Sequence, residues 1–122
     1  DADDVALRRL GPFVATHPAL AHGANVQLAR VLGPGRCRAL IWERGVGRTS
    51  ASGSSSCAVA VAAVLRGLLP PGPVTVQMDG GDLQVEVSPR LDVVLRGPVE
   101  EVCEGVLTDA FVEELEASFP MS

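Results

Sequence analysis

The amino-acid sequence predicts an α+β fold in which an antiparallel curved sheet, or a barrel, surrounds a central buried helix. Short segments that alternate apolar and polar residues, separated by Gly- and Pro-rich turns, indicate the strands. Residues 57–65 are apolar on every side, and a helix of that kind belongs inside a core. Aromatic residues make up 3% of the 122 residues, so we expect an aliphatic core within a single domain, residues 1–122.

The first part of the chain predicts a helix and a β-hairpin. Apolar residues at helical spacing over residues 3–16 predict a surface helix that an aspartate can cap. The alternating residues 25–32 and the apolar residues 37–43 predict two strands. Because residues 33–35 (Gly-Pro-Gly) are a turn sequence, these strands are expected to form a hairpin.

The second part predicts the central helix and a β-meander. A Gly/Ser-rich loop, residues 45–56, leads into the apolar helix 57–65, which Gly67 is well placed to end. Tight turns then join short apolar segments that predict strands at residues 74–78, 83–87, 91–95 and 102–107. A closing helix is predicted over residues 110–117.

The overall charge and hydropathy argue against two classes of partner. Ten basic against fifteen acidic side chains give a net charge of −5 and a pI near 4.9, the wrong sign for a nucleic-acid binder. The longest apolar run, residues 57–65, is about half as long as a membrane span. With no signal-peptide pattern present, we expect a cytoplasmic protein with no nucleic-acid partner and no membrane segment.

The cysteines and histidines do not form a metal-binding pattern. Cys37, Cys57 and Cys103 fit neither a disulfide framework nor a zinc site by their number and spacing. We expect all three to be reduced, buried thiols, with Cys57 a small core residue of the apolar helix. His17 and His22 lie five residues apart, which is poor spacing for a metal pair, and we predict no metal site.

The Gly/Ser-rich loop before the apolar helix is the best candidate for chemistry. Backbone N–H groups at the start of a helix lack partners, and together with the helix dipole they attract a carboxylate or a phosphate. The loop has neither the lysine of a P-loop nor the third glycine of a dinucleotide fingerprint, which argues against nucleotide binding. A serine-rich cap without any ligand is the alternative.

The order of residues in this loop resembles the second signature of the diaminopimelate epimerase family. That signature is Glu-Arg-Gly-x-Gly-Glu-Thr followed by Ala-Cys-Gly-[Ser/Thr]-Gly. Residues 43–49 are Glu-Arg-Gly-Val-Gly-Arg-Thr, and residues 51–58 are Ala-Ser-Gly-Ser-Ser-Ser-Cys-Ala. The resemblance covers residues 7–107 and includes segments 10–12, 17–18, 25–26, 74–81, 95–98 and 102–105.

The resemblance implies a two-lobed, cofactor-independent amino-acid epimerase with its active site between the lobes. Each lobe of such a protein supplies one cysteine, one acting as thiolate base and the other as thiol acid. The reaction converts LL-diaminopimelate to meso-diaminopimelate for lysine and peptidoglycan synthesis, without pyridoxal phosphate or another cofactor. This chain would be the second lobe, incomplete without the complementary first lobe and able to belong to a homodimer.

Carried over by position, the resemblance assigns residues to an amino-acid substrate. Asn25 and Arg44 would bind the substrate. Glu43 would bind it as well and assist at the reacting carbon. Gly53 and Ser54 would offer backbone N–H groups to its carboxylate.

Two positions depart from the family's pattern. Ser52 stands where the second catalytic cysteine belongs, and a hydroxyl, whose pKa lies far above that of a thiol, cannot be an equivalent base. Ser52 would instead donate a hydrogen bond or relay a proton from Glu43. Arg48 replaces a glutamate, and we expect it either to add positive charge beside the carboxylate site or to be a solvated side chain.

Two other functions stay open beside the epimerase. An isomerase on the same scaffold, similar to the phenazine-biosynthesis isomerases, would use a carboxylate as acid and base, with Glu43 as the candidate. A catalytically degenerate lobe would serve binding or dimerisation. The resemblance makes part of an epimerase the leading hypothesis, with this chain inactive by itself.

Overall fold

A computed structural model describes residues 3–119 of the chain. Its helices and strands follow in the order α1 (Asp4–Ala15), β1 (Val26–Gly33), β2 (Arg36–Glu43), β3 (Gly47–Thr49), α2 (Gly53–Leu65), β4 (Gly72–Met78), β5 (Gly81–Val87), β6 (Val93–Arg96) and α3 (Asp109–Ser118). The predicted α+β class is confirmed, because the strands form one sheet whose members pack around α2.

The sheet of the described residues is mixed and has the order β1-β2-β4-β5-β6, with the short β3 also paired to β2. Four of the five strand pairings are antiparallel, as predicted, whereas β2 and β4 are parallel. This parallel pair arises because α2 lies between β2 and β4 in the chain and forms a crossover connection. The sheet is open and does not close into a barrel.

The helix α2 covers the inner face of the sheet and contacts every strand except β3. Its buried residues Val59, Ala60 and Ala63 have small side chains, which let the strands approach closely. Alternate residues of the strands supply the rest of the core, because successive side chains of a strand point to opposite faces. The core is aliphatic, as predicted, and contains Cys37, Ala39, Ile41, Val59, Ala60, Ala63, Leu69, Val74, Val76, Met78, Val85 and Val87.

The helix α1 packs on the outer face of the sheet, against β1, β2 and β3. Leu7, Gly11 and Ala15 repeat every four residues and are buried in this contact. A Cβ atom at Gly11 would lie 2.6 Å from Cγ of Trp42, so the absence of a side chain lets α1 approach the indole ring. Asp3 caps the helix, in agreement with the predicted aspartate-capped surface helix.

The chain after β5 departs most from the prediction. The strand β6 begins two residues later than the predicted strand 91–95. The strand predicted over residues 102–107 is wrong, because residues 97–108 have no regular structure and Val106 is 97% exposed. Apolar alternation forms a strand only where a neighbouring strand satisfies its backbone, and none of the described strands pairs with this segment. The helix α3 contacts no other described helix or strand.

Candidate active site

The start of α2 leaves two backbone N–H groups free. Ser52 is the N-cap residue: its carbonyl accepts the N–H of Ser56 at 3.0 Å, and its hydroxyl accepts that of Ser55 at 3.4 Å. Within residues 3–119 the N–H groups of Gly53 and Ser54 have no hydrogen-bond acceptor. Both lie at the positive end of the helix, an arrangement that can bind one carboxylate.

The serines that predicted a loop belong to the first turn of α2, which begins four residues before the predicted helix 57–65. The hydroxyl of Ser56 donates to the carbonyl of Gly53 at 2.7 Å, and both Ser55 and Ser56 are buried. The side-chain amide of Gln27 donates to the hydroxyl of Ser55 at 3.0 Å. Gln27, which the sequence analysis missed, therefore connects β1 to the start of α2.

Glu43 lies on the face of the sheet that α2 covers. Strand pairing aligns Gln27, Ile41 and Thr49 across β1, β2 and β3. Ile41 is buried in the core and Gln27 contacts Ser55 of α2, so this row faces the helix. Glu43 follows Ile41 by two residues in the same strand and faces the same way.

Asn25 and Arg44 are held together where β2 ends. The Oδ1 atom of Asn25 accepts the backbone N–H of Arg44 at 2.8 Å. The Arg44 guanidinium donates through Nη1 to the carbonyl of His22, and its other N–H groups meet no acceptor in the described part of the chain. Arg44 is exposed and thus keeps donors for a carboxylate, whereas the Oδ1 atom of Asn25 is already occupied.

All three cysteines are described, and none lies at the start of α2. Cys37 is buried in the core, where burial raises the pKa of its thiol. Cys57 is half-buried inside α2 and packs against the core. Cys103 is exposed, so the prediction of buried thiols is wrong for that residue, which lies in the irregular segment after β6.

Ser52 is half-buried, and its hydroxyl lies 3.4 Å from the hydroxyl of Ser54. No carboxylate or imidazole of the described residues hydrogen bonds to it. Its hydroxyl therefore acts as a helix cap, with no neighbouring base to activate it.

Arg48 lies on the outer face of the sheet, where strand pairing places it opposite Trp42. Its guanidinium uses all three nitrogens: Nε donates to Asp4 of α1 at 2.7 Å, and Nη2 donates to Asp79 in the β4–β5 turn. The third nitrogen, Nη1, donates to the carbonyl of Thr49. With its side chain only 16% exposed, Arg48 is not a solvated side chain, and that alternative is wrong. Whether its charge acts on a bound carboxylate stays a prediction.

Asp79 also accepts a hydrogen bond from Arg38 of β2, and Asp4, Arg38, Arg48 and Asp79 are named the Arg48 cluster below. The hydrogen bond from Arg48 holds the pKa of Asp4 below its ordinary value of 3.8, and a second one from Arg8 adds to this. The hydrogen bond from Arg38 lowers the pKa of Asp79, and the charge of Arg48 lowers it further.

We expect the Arg48 cluster to lose its contribution to stability in acid. A carboxyl whose pKa is lower in the folded state than in the unfolded state stabilises the fold above the unfolded value. This contribution is lost as the pH falls through the lowered pKa. The Tm of the wild type should therefore fall faster below about pH 4 than that of the double variant Asp4→Asn/Asp79→Asn. Thermal unfolding followed by circular dichroism checks this, and equal slopes would show that the two carboxylates contribute nothing.

The candidate site therefore lies at the end of the sheet where α2 begins. The free N–H groups and the Ser52 hydroxyl lie there, and Glu43 lies on the face that α2 covers. Arg44, held by Asn25, lies where β2 ends and packs against Gly23 beside α1. Within residues 3–119, no three His, Cys, Asp or Glu side chains are grouped closely enough to hold a metal ion. No helix in the same range has the length and apolar character needed to cross a membrane.

Known proteins are similar in sequence to this chain over most of its length. The family model described as Diaminopimelate epimerase matches residues 1–102. The diaminopimelate epimerase of Sphingopyxis alaskensis is 42% identical over 105 residues, which cover 86% of this chain and 39% of the relative. That of Desulforudis audaxviator is 43% identical over 106 residues, covering 86% and 38%, and that of Bacillus cereus is 36% identical over 107 residues, covering 87% and 37%.

The chain spans less than two fifths of the length of these relatives. The matched residues include α1, α2 and the whole sheet, whereas α3 begins beyond residue 102. Together the family match and the identities confirm the predicted resemblance, and the chain belongs to the diaminopimelate epimerase family.

Proposed function

We propose that this chain is the carboxylate-binding part of a cofactor-independent epimerase that converts LL-diaminopimelate to meso-diaminopimelate. Membership of the family supports the class of reaction. The N–H groups of Gly53 and Ser54 at the start of α2 lack partners, and this observation supports carboxylate binding as the contribution of this chain. Because the relatives are much longer than the chain, the complementary lobe is proposed to come from residues outside this sequence.

The proposed contribution of α2 is electrostatic. A carboxylate at the N–H groups of Gly53 and Ser54 would meet two donors and the positive end of the helix. Arg44 would add a charge-assisted hydrogen bond from its free guanidinium donors. Removal of the α-proton develops negative charge next to this carboxylate, and donors that are fixed before the reaction stabilise that charge without reorganising.

Proton transfer is the step for which this chain is poorly equipped. A serine hydroxyl stays protonated at neutral pH, and Ser52 has no base beside it to remove its proton. Glu43 is the carboxylate side chain on the α2-facing side of β2. Because no hydrogen bond joins Glu43 to Ser52, we expect a proton relay between them, and with it the exchange of the α-proton, to be slow.

The second candidate function is an isomerase that uses Glu43 directly as its acid and base. The position of Glu43 on the face covered by α2, at a site without a thiol, favours it. Such an enzyme would move a proton within another kind of substrate, so it would leave the α-protons of amino acids unexchanged. Exchange of the α-proton of an amino acid with the solvent therefore distinguishes the two candidates.

Exchange in heavy water tests the proposal in the complete protein that carries this chain. Incubation with LL-diaminopimelate should deposit deuterium at the α-carbon of both stereoisomers, seen as loss of the α-proton signal by NMR. Arg44→Ala should slow this exchange about tenfold or more, because it removes a charge-assisted hydrogen bond to the carboxylate. Arg90→Ala is the control, since Arg90 is exposed in the β5–β6 loop, and it should behave as the wild type.

The outcomes separate the three functions. No α-proton exchange with any amino acid tried would exclude the epimerase and leave the isomerase and the binding lobe. If exchange is absent but diaminopimelate shifts the amide resonances of Gly53 and Ser54, the chain serves binding alone. If diaminopimelate neither exchanges nor shifts these resonances, the proposed carboxylate site is wrong.

A further inference from the structure

The Arg48 cluster lies beside residues 50–52, the segment that leads from β3 into α2. The strands β4 and β3 share one edge of β2, since β4 pairs with residues 36–38 and β3 pairs with residues 41–43. The β4–β5 turn therefore meets the chain where β3 ends. At this point the N–H of Gly80 donates to the carbonyl of Ser50 at 2.7 Å, two residues before the N-cap Ser52.

The contact between this turn and the segment is tight. A Cβ atom at Gly80 would lie 3.0 Å from Cβ of Ala51 and 3.2 Å from the carbonyl oxygen of Ser50. Asp79, the neighbour of Gly80, accepts a hydrogen bond from Arg48, which precedes Ser50 by two residues. The ion pair and the Gly80 hydrogen bond therefore attach the segment to the turn at two nearby points.

Arg48 also connects this attachment to the rest of the fold. Its Nε atom donates to Asp4, so the outer helix α1 is joined to β3. Asp79 takes a further hydrogen bond from Arg38, which joins the turn to β2. A planar guanidinium can donate to three acceptors at once from a fixed plane, whereas a lysine has one flexible ammonium group.

We propose that Arg48 is a positioning residue that holds residues 50–52 in place through Asp79 and Asp4. It thereby fixes the position of the free N–H groups at the start of α2. Arg48 is not assigned a contact with the substrate, because all three nitrogens of its guanidinium already donate to Asp4, Asp79 and the carbonyl of Thr49. The inference rests on the proposed function only for what these N–H groups bind. The positioning itself is a property of the protein without ligand.

Amide hydrogen exchange in the ligand-free complete protein tests the positioning. In Arg48→Met the N–H of Gly80 should exchange about tenfold faster, because the charge-assisted hydrogen bonds that hold the turn are lost. Arg96→Met is the matched control, since Arg96 pairs with Glu86 at 2.8 Å elsewhere in the sheet and both side chains are more than half exposed. It should change the Gly80 exchange rate less than about twofold.

The dissociation constant of LL-diaminopimelate distinguishes positioning from a general effect on stability. Measured by calorimetry well below the Tm, it should rise about tenfold in Arg48→Met and stay within about twofold of the wild type in Arg96→Met. Arg48→Lys should recover only part of the affinity, with a rise of about threefold in the dissociation constant, because one flexible ammonium nitrogen replaces three nitrogens that donate from a fixed plane. It also keeps the proposal testable if Arg48→Met does not fold.

The results separate this proposal from the proposed function. Unchanged Gly80 exchange in Arg48→Met overturns the positioning, whether or not diaminopimelate binds. Faster exchange with an unchanged dissociation constant gives Arg48 a structural role alone and also overturns it. If the wild type does not bind diaminopimelate but Gly80 exchange accelerates, the hold on residues 50–52 is supported and the proposed function fails.

Discussion

The substitution Ser52→Cys in the complete protein is expected to raise α-proton exchange of diaminopimelate by about 10²- to 10⁴-fold, the range that a positioned acid or base contributes. Ser52 caps α2, and the start of a helix lowers the pKa of a thiol towards neutrality. A thiolate at this position would be a competent base, which a hydroxyl is not. Deuterium incorporation in heavy water, measured by NMR for both variants, gives the ratio of rates.

The control for this gain is Ser54→Cys. The hydroxyl of Ser54 lies 3.4 Å from that of Ser52, so the thiol enters the same neighbourhood, but this residue is exposed and does not cap the helix. Its gain should be less than about a tenth of that of Ser52→Cys. Similar gains at both positions would show that any nearby thiol suffices, and no gain at either would show that the remaining site cannot support epimerisation.

Elements with a strong apolar period could be predicted from the sequence alone. The four strands β1, β2, β4 and β5 lie within two residues of their predicted bounds, because their alternating residues form the core against α2. The start of α2 was missed because serines are common in loops, whereas here they satisfy the first turn through their hydroxyls. The short β3 and the parallel pairing depend on partners far away in the chain, for which a local pattern carries no signal.

In the candidate site too, residues within a local sequence pattern could be predicted and their distant partners could not. Ser52, Glu43 and Arg44 were predicted because they fall within one signature that resembles a family's pattern. The partners that hold these residues were not predicted, because they are far away in the sequence. Gln27, for example, is 28 residues from Ser55. Likewise, Asp4 is 44 residues from Arg48. Such pairs become neighbours only through strand register and helix packing, so a sequence without its fold does not reveal them.

The substitution Leu7→Ala is expected to lower the free energy of unfolding by about 2–5 kcal/mol. Leu7 is fully buried between α1 and the outer face of the sheet, and its removal would leave a cavity there. Leu10→Ala is the control, because it makes the same change in the same helix at a residue that is 37% exposed. Its loss should be about 1 kcal/mol, and urea denaturation of the complete protein measures both values.

The same variants distinguish packing from positioning. Leu7 and Asp4 both belong to α1, so weaker packing of this helix could in principle release residues 50–52 as well. We expect Gly80 exchange to stay close to the wild type in Leu7→Ala under native conditions, because the substitution removes none of the ion pairs of Arg48, although Leu7 lies one turn from Asp4. Equal acceleration in Leu7→Ala and Arg48→Met would mean that the docking of α1 as a whole, rather than Arg48, holds the segment.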